Sequence, residues 1–190
     1  MSINNNLFIY INSNLQNPFF DGVMPVITQF GDFIFILLVV MAILLYAKIS
    51  KRETLKKVAI VALIALLFSD VIALLLKHII QEPRPFMALE NVRLLIVEND
   101  PCSFPSGHAS STFAVVSVFI FNMEKLAKRY HLLISAVLLV FAITILFSRV
   151  YCGVHYPEDV AAGAIIGIFG ALIVNRFKEK IFGYLKIMRS

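Results

Sequence analysis

VAIVALIALLFSDVIALLL, residues 58–76, decides the fold of this chain. The run carries one charge, Asp70. A helix of about 20 mainly apolar residues crosses the hydrocarbon core of a bilayer. Four more apolar runs occur at 33–47, 109–121, 132–147 and 160–174, the shorter ones needing flanking residues to reach across. The 190 residues are 59% hydrophobic and 15% charged, with mean hydropathy +0.85. A soluble domain is about half apolar and a quarter charged, so a soluble bundle of five buried helices is the poorer reading. The sequence predicts an all-α, polytopic membrane helix bundle of five membrane helices in a single domain, 1–190. A sixth helix over residues 1–30 is left open. Gly163 and Gly167 stand four apart in the last run, a spacing that permits close helix contact in lipid.

The net charge of +5 raises the possibility of a nucleic-acid partner, but its placement argues against one. Lys and Arg gather between the apolar runs and form no basic stripe on a soluble face. Residues 1–47 hold none. Lys48, Lys51, Arg52, Lys56 and Lys57 fill the first loop, Lys125, Lys128 and Arg129 the third, and Arg176, Lys178, Lys180, Lys186 and Arg189 follow the last run. Thirteen of 17 cations thus share one side, which the positive-inside rule makes cytoplasmic. The N-terminus is then outside and the C-terminus inside, in a plasma membrane. The other four cations are Lys77, Arg84, Arg93 and Arg149.

No positive n-region precedes the first strongly apolar run, so a signal peptide is not expected. Ile3, Leu7, Ile11 and Leu15 recur at four-residue spacing among asparagines. They read as a short interfacial helix ending near Pro18 or as a loosely ordered segment. The outer loop 78–104 carries Pro83, Pro85, Pro101 and an apolar patch over 94–97, and is either a partial lid or a plain connection. Cys102 and Cys152 both fall outside, where an oxidising compartment permits a disulfide; two free thiols are the alternative.

Three short motifs border the apolar runs on the outer side. Lys77 is followed by Arg84-Pro85, and prolines on both sides hold Arg84 extended. Pro105-Ser106-Gly107-His108 opens the third run. Ser106 suits a plain N-cap, and a helix N-terminus with a Gly backbone also offers N–H groups to an anion. Ser148-Arg149 closes the fourth run and is followed by His155 and Asp159. If Pro157 takes the first helical turn, Asp159 comes close to His155 and its carboxylate can hold the imidazole in one tautomer. Asp159 with Glu158 would also serve simply to complement the helix dipole. Arg84 and Arg149 have planar forks suited to phosphate, and Lys77 on its own would read as a snorkelling cation. Three cations, two histidines and a carboxylate on one face are a set that can hold a phosphoryl group and transfer it.

The order Lys-x6-Arg-Pro, Pro-Ser-Gly-His and Ser-Arg-x5-His-x3-Asp resembles the type 2 phosphatidic acid phosphatase superfamily, over a motif core of 77–159. The resemblance implies a membrane lipid phosphatase acting through a phosphohistidine, with no metal and no cofactor. His155 would be the nucleophile, Asp159 its orienting partner and His108 the acid for the leaving oxygen. Lys77, Arg84, Ser106, Gly107 and Arg149 would cradle the phosphate. The Glu82-Pro83-Arg84-Pro85-Phe86 stretch is similar to the bacitracin-resistance type of undecaprenyl-diphosphatase, although such proteins often carry Asp where this chain has Gly107. The implied substrate is a polyprenyl diphosphate, probed against phosphatidylglycerophosphate and phosphatidate as alternatives. A non-catalytic lipid-binding or transporter-associated protein is the reading from another class. The bilayer is the expected surrounding partner. Asp70 either supports the site from one helix face below Lys77 or bonds to a neighbouring helix; His78 and His131 receive no role.

Overall fold

The computed structural model describes residues 3–187. They form helices α1 (Ile3–Ile9), α2 (Pro18–Gln29), α3 (Phe33–Ile49), α4 (Glu53–Ile80), α5 (Pro85–Ala88), α6 (Gly107–Leu126), α7 (His131–Tyr151) and α8 (Pro157–Ile187), with a π-helical turn over Tyr10–Asn14. Each of the five apolar runs lies in a long helix. Three of these, α4, α7 and α8 through Gly183, are by themselves long and apolar enough to cross a membrane. A fourth crossing results if α2 and α3, bent by 59° at a short break, act as one broken span. Asp32 makes that break orderly, since its carboxylate caps the Ile34 and Phe35 N–H groups.

The third run, in α6, has the length of a span and a more polar surface, and its surroundings supply the reason. It lies innermost, packed on α8, α4 and α7. Ser110, Ser111, Thr112, Ser117 and Asn122 on this helix are buried. Ser110 Oγ donates to the Ser69 carbonyl on α4 at 3.3 Å, and Asn122 Nδ2 to Asn175 Oδ1 on α8 at 2.9 Å. A helix sheathed by protein can carry polar side chains that lipid would penalise. Ser111 Oγ donates to Asp70 Oδ1 at 3.5 Å, so the carboxylate of Asp70 bonds to a neighbouring helix, the one that carries His108.

Helix contact in lipid depends on close packing more than on dehydration. The glycines of α8 supply it. A Cβ at Gly163 would strike the Ser106 carbonyl, and one at Gly167 would meet the Ser110 carbonyl at 2.5 Å and the Ala114 nitrogen at 2.7 Å. α8 therefore lies directly against the α6 backbone, which fixes the starts of both helices side by side. Ile36, Val40, Val61, Leu66, Val118 and Val174 tie α3, α4, α6 and α8 together below.

The N-terminal segment packs more deeply than its leucine and isoleucine spacing suggests. Ile3 is 88% exposed, whereas Phe8 and Asn12 are buried. Phe8 sits edge-on against Tyr156, and the Asn12 amide donates to the carbonyls of Arg93 and Tyr151 at 2.8 and 2.9 Å. The amide thus clips the 78–104 loop to the end of α7.

Candidate active site

The motifs meet where α4 and α7 end and α6 and α8 begin. α4 stops at Gln81, whose left-handed backbone (φ 51°) lets its N–H cap the Lys77 carbonyl. Arg84 is extended (φ −67°, ψ 154°) between its prolines, as the sequence predicts. α7 ends at Tyr151, and the chain turns through Gly153, whose φ of +85° suits glycine. A Cβ there would collide with the Arg93 carbonyl. The same turn leaves the Val154 carbonyl to accept Arg84 Nη1 at 2.8 Å.

Pro157 opens α8, and Asp159 lies at its third helical position. Its Oδ2 reaches back to the Tyr156 N–H at 2.7 Å, half of a capping box. The same oxygen faces His155 Nδ1 at 3.3 Å and accepts the Ser103 hydroxyl. The cap and the imidazole partner are one atom. On the other side of the ring, Arg84 Nη1 lies 3.2 Å from His155 Nε2. Arginine can only donate, so Nε2 accepts and Nδ1 carries the hydrogen toward Asp159. Burial, first, and then Arg149, Arg84, Lys77 and His108 hold the His155 pKa well below its ordinary value. The ring is neutral, with its Nε2 lone pair facing Arg84.

Arg84 and Arg149 are each 2% exposed. Arg149 Nη1 donates to Thr28 Oγ1 on α2 at 3.0 Å and Nη2 to Glu98 Oε2 at 2.8 Å. Lys77 Nζ donates to Asp100 Oδ2 at 2.5 Å and to the Cys102 carbonyl at 3.0 Å. Arg84 Nη2 lies 3.5 Å from both acids, and its Nε donates to the Asp100 carbonyl. Burial lowers the Arg84 pKa, opposed by Glu98 and Asp100. Among the described residues, Arg149 Nε and Asp159 Oδ1 are buried without a hydrogen-bond partner.

Ser106 turns inward. Its Oγ accepts the Ala109 N–H at 3.4 Å and its own N–H donates to the Asp159 carbonyl at 3.0 Å, so it caps α6 and ties it to α8. The N–H groups of Gly107 and His108, in the first turn, have no acceptor within the helix. Nothing lies within 4 Å of the place a Cβ on Gly107 would take, and His108 follows it as the second residue of α6.

All eight residues singled out in the sequence therefore share one end of the bundle. Glu98, Asp100, Ser103 and Thr28 join them, although none stands out in the sequence. Glu98 and Asp100 had a faint signal, two acids on alternate positions beside three cation motifs; Ser103 and Thr28 had none. Cys102 and Cys152 are free thiols, the second buried. The apolar patch over 94–97 is divided: Leu95 and Ile96 pack with Met24, Tyr151 and Cys152, while Val97 is 88% exposed.

A family profile described as PAP2 superfamily matches residues 58–182. The bacitracin transport permease protein BcrC of Bacillus licheniformis is 34% identical over 115 residues, 60% of this chain and 53% of that one, so the chain spans about half the length of that relative. The undecaprenyl-diphosphatase BcrC of Bacillus subtilis is 27% identical over 173 residues, covering 91% of this chain and 82% of that one. Among solved structures, the transmembrane PAP2 type phosphatidylglycerolphosphate phosphatase from Bacillus subtilis superposes with a TM-score of 0.78 at 25% identity, covering 95% of this chain and 89% of its own. The apolar helices and these likenesses make this a multi-pass membrane protein. It belongs to the PAP2 superfamily and is a phosphoric ester hydrolase.

Proposed function

We propose that the enzyme hydrolyses a polyprenyl diphosphate, with undecaprenyl diphosphate the leading substrate, to the monophosphate through a phosphohistidine at His155. The observation that carries the reading is the two-sided hold on that ring, Nδ1 against Asp159 and Nε2 toward Arg84. The Nε2 lone pair attacks the terminal phosphorus as the bond to the bridging oxygen breaks. His108 gives that oxygen a proton, and the lipid monophosphate leaves. Asp159 stabilises the positive charge gained by the ring. Water, deprotonated by His108, then breaks the phosphorus–nitrogen bond and releases inorganic phosphate.

Lys77, Arg84 and Arg149 hold the non-bridging oxygens, and the N–H groups at the start of α6 add donors. The unpartnered Nε of Arg149 is a donor free for one of them. Ser106 acts by anchoring the start of α6 to α8. A cavity of about 310 Å³ lined by Phe30, Phe35, Thr112, Val116, Phe119 and Phe141 starts one helical turn below His108 and suits an apolar tail. The cation distribution supports a site at the extracytoplasmic face of the plasma membrane. There a carrier lipid is left as the diphosphate once its cargo has been transferred.

Phosphate release by the purified protein from undecaprenyl diphosphate, phosphatidylglycerophosphate and phosphatidate tests the substrate. The diphosphate should give the highest kcat/KM. A preference for phosphatidylglycerophosphate of about tenfold or more, a difference of ~1.4 kcal/mol in transition-state binding, would overturn that choice.

A further inference from the structure

Glu98 Oε2 lies 2.8 Å from Arg149 Nη2 and 3.5 Å from Arg84 Nη2. Asp100 Oδ2 lies 2.5 Å from Lys77 Nζ and 3.5 Å from Arg84 Nη2. Two carboxylates from one short segment thus hold all three cations to which the proposed function gives the phosphate. An arginine N–H that donates to Glu98 cannot at the same time donate to a phosphate oxygen.

We propose that Glu98, assisted by Asp100, is a resident phosphate mimic that selects substrate by charge, yielding the cradle to phosphomonoesters and diphosphates and denying it to phosphodiesters. The inference rests on the reading of Lys77, Arg84 and Arg149 as the phosphate cradle. Three cations and two carboxylates leave the cradle one net positive charge. A phosphodiester carries one negative charge. Exchanging it for Glu98 gains no charge, and the expelled carboxylate must be accommodated elsewhere. A phosphomonoester carries about −1.5 to −2 near pH 7 and a diphosphate more, so their exchange for the carboxylate is favoured. The distinction matters in a bilayer, whose ordinary phospholipids present phosphodiesters beside the site at high local concentration. A bare pair of arginine forks would bind them. Repelling a competitor is as good a source of specificity as attracting the substrate.

The segment is built to yield. Leu95 N–H donates to the Cys152 carbonyl at 3.1 Å on one side, and Ser103 N–H to the Glu82 carbonyl at 2.7 Å on the other. Between these anchors, the backbone of residues 96–99 makes no hydrogen bond to the described residues. Glu98 can therefore swing out without breaking a backbone bond, and the exposed Val97 beside it has no packing to lose.

The test titrates inorganic pyrophosphate and dimethyl phosphate, by calorimetry, into the detergent-solubilised full chain. Wild type should bind pyrophosphate and not dimethyl phosphate. Glu98→Gln should bind pyrophosphate on the order of tenfold tighter and acquire dimethyl phosphate binding, with a lower KM for the lipid diphosphate. Asp100→Asn should shift the same way by less. Glu98→Asp retains the charge but withdraws it by one methylene, and should fall between wild type and Glu98→Gln; it provides the reading if Glu98→Gln does not fold. Pyrophosphate bound equally or more weakly by the folded variants, with dimethyl phosphate still excluded, would overturn the inference and make Glu98 a residue that positions Arg149. Wild type and variants all failing to bind pyrophosphate would overturn the cradle and the inference together.

Discussion

The two ends of the helix bundle treat positive charge in opposite ways. Where α4 and α7 end, Arg84 and Arg149 are each 2% exposed and held by carboxylates, two carbonyls and a hydroxyl. At the other end Arg52 lies over the Tyr46 ring, Lys57 over Phe182 and Arg129 over Tyr130, while Lys56 pairs with an exposed Glu53. Burying an ion costs several kcal/mol before any partner repays it, and exposed pairs return about 0–1 kcal/mol. Among the described residues the larger cost is accepted at the motif end, where the proposed function requires charge held for a ligand.

The largest break in that comparison should come from arginine forks replaced by point charges. Arg84→Lys and Arg149→Lys should lower kcat/KM for the lipid diphosphate by about 10²–10³, the scale of losing one preorganised donor to a transition-state oxygen. Lys57→Gln and Lys125→Gln should stay within about twofold, as surface changes usually do. Equal losses at both ends, measured as phosphate release, would erase the distinction.

Backbone changes should sharpen it next. Gly153→Ala forces a side chain into a positive φ and against the Arg93 carbonyl, beside His155. It should destabilise by about 1–3 kcal/mol and depress kcat. Gly183, with nothing within 4 Å of its would-be Cβ, should tolerate Ala with activity and melting temperature unchanged.

The buried imidazole gives the motif end a pH dependence. Burial and the surrounding cations lower the folded pKa of His155 below the unfolded value. Below about pH 6.5 the unfolded chain therefore binds more protons than the folded one. This stabilising contribution is complete above that pH and is lost as pH falls toward the folded pKa. The melting temperature should drop between pH 7.5 and 5, and drop less in His155→Gln. An equal drop in the variant would remove His155 from the account.

The smallest effects concern thiols. Burial, opposed by Arg149, pushes the Cys152 thiol up to about 11, so it should resist alkylation at pH 8 while the partly exposed Cys102 reacts. In a background lacking both, a cysteine in place of Asn91 should react with an impermeant reagent in intact cells, and cysteines in place of Lys51 or Lys128 should not. The reverse pattern would place the motif end in the cytoplasm.

The helices and the eight motif residues were legible because each leaves a local mark. A span needs a long apolar run, Arg84 sits between prolines, and Asp159 stands four residues from His155 across a helix-starting proline. Less legible was the span count, because α6 mixes polar side chains into its apolar run and is sheathed by protein in place of lipid. Also hidden were Thr28, which reaches Arg149 from 121 residues away, and Ser103, which meets Asp159 from 56 away. Contacts of that separation depend on how helices pack, and single serines and threonines carry no pattern. Glu98 and Asp100 were visible as acids, but their pairing with the cations followed from the path of an irregular loop.

The proposed mechanism stands or falls on the phosphorylation of His155 during turnover. Rapid quenching after mixing with lipid diphosphate labelled in its terminal phosphate, followed by peptide mapping, tests it directly. Acid-labile, base-stable phosphate should appear on His155 and be absent from His155→Ala together with turnover. In His108→Ala the label should still form from a substrate with a good leaving group. Label trapped on His155→Ala, or turnover by that variant near the wild-type rate, would contradict the account.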